Sequence, residues 1–110
     1  MDAPLPRLIS RVRVDALIRN VAGAGGFATV LARGDDEAGA IAVVTREAGQ
    51  ERLLAPVLGL DGRYQLSEMA SGDAVAGWIA RARQRDPDLW VIELDIPQAG
   101  QFVDQMLGGG

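Results

Sequence analysis

Five carboxylates are the first candidates for chemistry. Asp35, Asp36 and Glu37 are consecutive between Gly34 and Gly39, and Asp86 and Asp88 flank Pro87 much later in the chain. Oxygen ligands of this kind hold Mg²⁺ or Ca²⁺ when they converge on one point. The spacing fits no EF-hand loop, because neither the glycine nor the closing glutamate stands at its required offset. Turns favour the same residue types, since Asp accepts hydrogen bonds from its own local backbone. The expectation is therefore a solvated hairpin turn and a helix stop, with no metal and no cofactor. With Arg33 they form a candidate surface of Arg33, Asp35, Glu37, Asp86 and Asp88.

Composition closes most other routes to catalysis. The 110 residues include no Cys and no His, and all 11 basic residues are Arg. Thiolate nucleophiles, imidazole bases, the usual zinc sites, Schiff bases and a phosphate-loop lysine are all excluded. Ser10, Ser67 and Ser71 are the only serines, and none has an imidazole or amine to activate it. Glu93 and Asp95 fall on one face of a strand. They would form an acid/base pair only in a cleft that raises one pKa. On an exposed sheet face they are ordinary surface acids; on a covered face Arg46 or Arg52 become the expected partners. Gly23-Ala24-Gly25-Gly26 follows a helix and precedes a strand, the reverse of the order a phosphate-cradling loop requires. The glycines at 108–110 follow a helix and read as a frayed tail.

The elements that would position these groups come from periodicity. Val14, Leu17, Ile18 and Val21 repeat at i, i+3, i+4, i+7, the stripe of an amphipathic helix. A helix over about 10–22 follows, capped by Ser10 and closed by Gly23, Gly25 and Gly26. Residues 7–13 are open between helix and extended chain, because Leu8, Ile9 and Val12 fall off the stripe. Strands follow over Phe27–Arg33, Ile41–Glu47, 51–59 and Tyr64–Glu68. Pro56 places the third of these at a sheet edge or at a bulge. Asp61-Gly62 predicts a type I′ hairpin turn. Ser71 and Asp73 open a second helix, with Val75, Trp78, Ile79 and Ala82 as its apolar stripe and Arg81, Arg83 and Arg85 near its negative end. Asp86-Pro87 stops it. Leu89–Ile96 alternates cleanly, with Trp90, Ile92, Leu94 and Ile96 on one side. Pro97 starts a third helix. Trp78 and Trp90 each lie on the apolar side of their own element and predict core packing. The fold class is α+β: one domain over 1–110, with a mainly antiparallel sheet of about five strands and helices on one face. The order is α-β-β-β-β-α-β-α, with an extended lead-in over 1–6 and a flexible tail over 108–110.

The formal net charge is −4. It is uneven: residues 1–33 carry five Arg against two Asp, and residues 34–80 carry three Arg against eight acids. An acidic body argues against nucleic acid and against membrane surfaces. The start of the chain has no basic segment followed by an apolar one, and no apolar run reaches the ~20 residues needed to span a bilayer. A cytoplasmic location is the expectation.

Two segments resemble a known family. Arg33-Gly34-Asp35 with Glu37-Ala38-Gly39-Ala40, and Asp86-Pro87-Asp88-Leu89-Trp90-Val91-Ile92-Glu93, are similar to a family of small alphaproteobacterial proteins called domain of unknown function 1491. The likeness spans about residues 7–96. It implies no activity and carries over no catalytic residue. The leading expectation is a non-catalytic bacterial module that associates with itself, as a homo-oligomer such as a homodimer, or with another protein. The alternative is a small anionic ligand or nucleotide bound by Arg side chains. An Asp/Glu metal-dependent hydrolase ranks last.

Overall fold

Val14, Leu17 and Val21 are all buried on one side of α1 (Ser10–Gly23), as their spacing predicts. The computed structural model describes residues 9–106. The expected lead-in over 1–6 and tail over 108–110 lie outside them, as do residues 7 and 8 of the segment left open above. From Ser10 onward that segment is helical. The N-cap is Ile9 in extended backbone, so Ser10 is the first helical residue rather than the cap. Past Gly23 the chain turns through Gly25 at φ +89, and the Gly26 N–H donates to the Val21 carbonyl at 3.0 Å.

The remaining elements are β1 (Phe27–Ala32), β2 (Ile41–Glu47), β3 (Gln50–Leu58), β4 (Tyr64–Ser71), α2 (Ala74–Arg85), β5 (Trp90–Asp95) and α3 (Ala99–Met106). The order is the expected α-β-β-β-β-α-β-α in one α+β domain. The five strands form one sheet in the order β1-β5-β2-β3-β4. β1–β5, β2–β3 and β3–β4 are antiparallel; β2–β5 is parallel. The parallel pair arises because α2 carries the chain from β4 back across the sheet, and β5 then inserts between β1 and β2.

The expectation of helices on one face is corrected. Trp90, Ile92 and Leu94 face a core with Val14, Leu17 and Val21 of α1 and Ala99 and Val103 of α3. Val91 faces the other way, into a second core with Ala42, Val44, Leu53 and Ala55 of the sheet and Val75 and Ala82 of α2. β5 is a central strand buried on both sides over Trp90–Ile92. A helix that links two parallel strands must lie on a face of their sheet, and this one takes the face that α1 and α3 leave free. Trp90 is buried as expected; Trp78 is half-buried against the second core.

Two local expectations also change. Asp61-Gly62 is not a type I′ turn, since only Gly62 has positive φ; Gly59 N–H donates to Arg63 O at 2.7 Å to close a longer loop. The two-residue turn is Ala48-Gly49, with φ of 50 and 78 at its two positions. For Pro56, neither the edge nor the bulge reading holds. β3 lies inside the sheet, Pro56 is in regular register with Leu66, and the extra residue where β3 and β4 slip is Met69, on β4. The ladder of β3 with β2 ends at Leu54, so the missing N–H of Pro56 costs no bond there. α3 starts at Ala99, beyond Pro97, after Gln98 at φ 57.

Candidate functional site

The two motif segments meet. The loop from Arg33 to Ala40 joins β1 to β2, and Asp86–Leu89 joins α2 to β5. Asp35 N–H donates to Asp88 O at 3.0 Å, and the Trp90 indole N–H donates back to Asp35 O at 2.6 Å. Trp90 N–H donates to Ala40 O at 2.8 Å. Trp90 is only 3% exposed, so its ring is at once core filling and a fixed strut under the loop.

Glycine is required where these backbones cross. A Cβ at Gly34 would overlap the Asp88 carbonyl oxygen and the Trp90 backbone nitrogen, and one at Gly39 would overlap the same carbonyl. Both positions need the absence of a side chain for close approach, not for unusual φ.

The acids of the motif serve this geometry. Asp35 Oδ2 accepts from Glu37 N–H at 3.1 Å and Ala38 N–H at 2.8 Å. Asp86 Oδ1 accepts from Asp88 N–H at 3.1 Å. Glu37 acts through its backbone: its carbonyl takes Ser10 N–H at 3.1 Å, and the Asp36 carbonyl takes Arg11 N–H at 2.8 Å. These two carbonyls satisfy the first amides of α1, the task a side-chain cap performs elsewhere. Arg33 lies at the surface, 3.3 Å from Asp36 Oδ1 and 5.7 Å from the centre of the Trp90 ring. Arg33, Asp35, Glu37, Asp86 and Asp88 are thus brought to one place. Among the described residues no group of three acidic side chains converges to hold a metal ion.

Two contributors escaped the sequence. Arg83, read as a partner of the helix dipole, has one guanidinium nitrogen within 3.0 Å of the Arg33 carbonyl, 2.9 Å of Pro87's and 2.7 Å of Leu89's. Ser10 donates its hydroxyl proton to the buried Gly39 carbonyl at 2.6 Å. The bonds from Arg83 to Arg33 and from Ser10 to Gly39 reach across the fold, where no local pattern reveals them.

Glu93 and Asp95 do not form an acid pair in a cleft. Glu93 is half-buried, 4.0 Å from Arg46, which also binds Glu51. The hydrogen bond Arg46 donates to Glu51 first, then the charges of Glu93, Glu51 and Asp95, raise the Arg46 pKa above the ordinary arginine value. A cavity of about 680 Å³ is lined by Glu51, Arg52, Glu68, Ser71 and Asp73, among others. A second, of about 360 Å³, is lined by Arg46, Asp95 and Gln98, among others. Each has a single arginine, and each arginine is already paired with a carboxylate: Arg52 with Glu68 at 3.5 Å, Arg46 with Glu51.

The outer rim of β1 is different in kind. Among the described residues β1 pairs only with β5, and no strand lies on its far side. Phe27 is 74% exposed, Val30 41% and Leu31 47%. No charged residue lies between Phe27 and Ala32.

Residues 8–104 match the family model described as protein of unknown function, DUF1491. The chain belongs to this family. The match covers both motifs and extends past β5 into α3, beyond the span that the sequence resemblance reached. The crystal structure of a DUF1491 family protein from Caulobacter crescentus superposes with a TM-score of 0.77 at 32% identity, covering 87% of this chain and 94% of the other. The solution structure of a protein from A. tumefaciens superposes with a TM-score of 0.73 at 35% identity, covering 88% and 92%. Among curated proteins none matches. The family description assigns no activity.

Proposed function

We propose that the chain is a non-catalytic association module, and that β1 is the strand on which another protein chain docks. The observation that carries this reading is the uncharged β1 edge with Phe27, Val30 and Leu31 in solvent. An open edge presents a row of backbone donors and acceptors that a further strand can satisfy. Natural sheets commonly defend such an edge with charge or proline, and Phe27–Ala32 contains neither. Asp35 and Asp86 serve backbone amides and Arg83 serves backbone carbonyls, which supports a scaffold rather than a reaction centre.

The test compares the intact chain with a Phe27→Lys/Leu31→Lys double variant in two assays: light scattering for self-association and affinity capture from native cell extract. Self-association, or a retained protein, that the double variant abolishes is the expected result. No association of either kind that depends on β1 overturns the proposal. Binding of a small anion through arginine is less well supported, since each cavity offers one arginine that carboxylates already engage. A cytoplasmic location belongs to the same proposal, supported by a composition with no Cys to exploit an oxidising compartment; cell fractionation tests it. Among the described residues no helix is long and apolar enough to cross a membrane.

A further inference from the structure

Resting on the docking role proposed for β1, we infer that the incoming strand is β1 of a second copy, antiparallel about a twofold axis, with Thr29 facing Thr29. Phe27 and Thr29 share the face of Asp95 and Glu93, while Ala28 and Val30 share the face of Leu94 and Ile92. Directly opposite residues of an antiparallel pair lie on one face and interact. The register centred on Thr29 sets Phe27 against Leu31 and Ala28 against Val30, each pair occurring twice by symmetry. All three exposed apolar side chains of β1 then meet an apolar partner. Centring on Ala28 sets Phe27 against Thr29 and Leu31 against Gly25. Centring on Val30 sets Phe27 against Arg33. Leu31 is the extra residue where the β1–β5 register slips between Val30 and Ala32, so the regular part of the edge is Phe27–Val30 and the bulge falls at the end of the stretch the pairing uses.

Charge favours the antiparallel sense. Asp95 lies beside the Phe27 end of β1, and Arg33 follows its other end. Antiparallel copies set the basic end of one beside the acidic end of its partner; parallel copies set like against like. The opposite edge of the sheet is a poor alternative. β4 carries Glu68, 3.5 Å from Arg52, and an extra residue, Met69, where its register with β3 slips. The charge obstructs edge pairing. A β1–β4 contact would also be head-to-tail and open-ended, whereas β1–β1 closes on itself.

The cysteine-free chain makes the register testable with one thiol. Thr29→Cys is expected to form a covalent dimer on mild oxidation, since both kinds of antiparallel pair hold Cα atoms within disulfide reach. Gln84→Cys, exposed on α2 away from β1, is expected to form no covalent dimer under the same oxidation. Light scattering is expected to give a two-chain mass for the intact protein, and the Phe27→Lys/Leu31→Lys variant to raise the dissociation constant at least tenfold with its thermal melt retained. A dimer in which Thr29→Cys does not cross-link overturns the inference. So does a monomer at the highest soluble concentration. If that monomer still retains a protein whose capture depends on β1, the docking role survives and only the identity of the partner falls; if it retains none, both fall.

Discussion

The loop that follows β1 and the outer rim of β1 itself are a few residues apart and have opposite fates. In the loop, backbone polar groups are satisfied from across the fold: by Trp90, by Arg83, by the start of α1 and by its own Asp35. On the rim no strand among the described residues pairs with the outward side of β1, and the apolar side chains there stand in water. The lesson is that a cluster of charged residues marks where the fold holds itself together, and a stretch without charge marks where it remains open. Polarity in this molecule is a structural resource, and function is proposed where it is missing.

The contrast can be broken by substitution. The largest effect is expected from Trp90→Ala, which empties a core position and removes the strut under Asp35. A loss of about 3–5 kcal/mol in denaturant unfolding is expected, with self-association per folded molecule unchanged. Gly34→Ala follows at about 1–3 kcal/mol, because its methyl group meets the Asp88 carbonyl; a lowered thermal midpoint reads it. Ser10→Ala leaves the buried Gly39 carbonyl without its hydroxyl donor and is expected to cost about 1 kcal/mol by the same melt. Phe27→Lys is expected to change stability by less than about 0.5 kcal/mol while weakening association. If Phe27→Lys costs as much stability as Ser10→Ala, the rim is part of the core and the contrast fails.

Much of the fold was legible because it rests on local periodicity. The stripe Val14, Leu17 and Val21 and the alternation from Trp90 to Ile96 each report a buried side directly. The second buried face of β5 was not legible. Glu93 and Asp95 give that side a polar pattern, but they occupy only its far end, where Arg46 meets Glu93, while Leu89 and Val91 mark the part that faces the second core. The Ala48-Gly49 turn was hidden because alanine has no preference for positive φ, and Asp61-Gly62 carried the stronger signal in the wrong place. The site was half visible. Both segments could be found, and the turn-forming use of Asp35 and Asp86 followed from residue type. Their meeting through Asp88, Trp90 and Arg83 depends on a topology that no local window contains.

The placement of β5 between β1 and β2 has a consequence for synthesis on the ribosome. β1 is the first of the five strands to emerge, yet the strand it pairs with, β5, is the last of the five to be made. The nascent chain therefore exposes both rims of a neutral, apolar strand until β5 arrives, a window in which chaperone capture competes with misassociation.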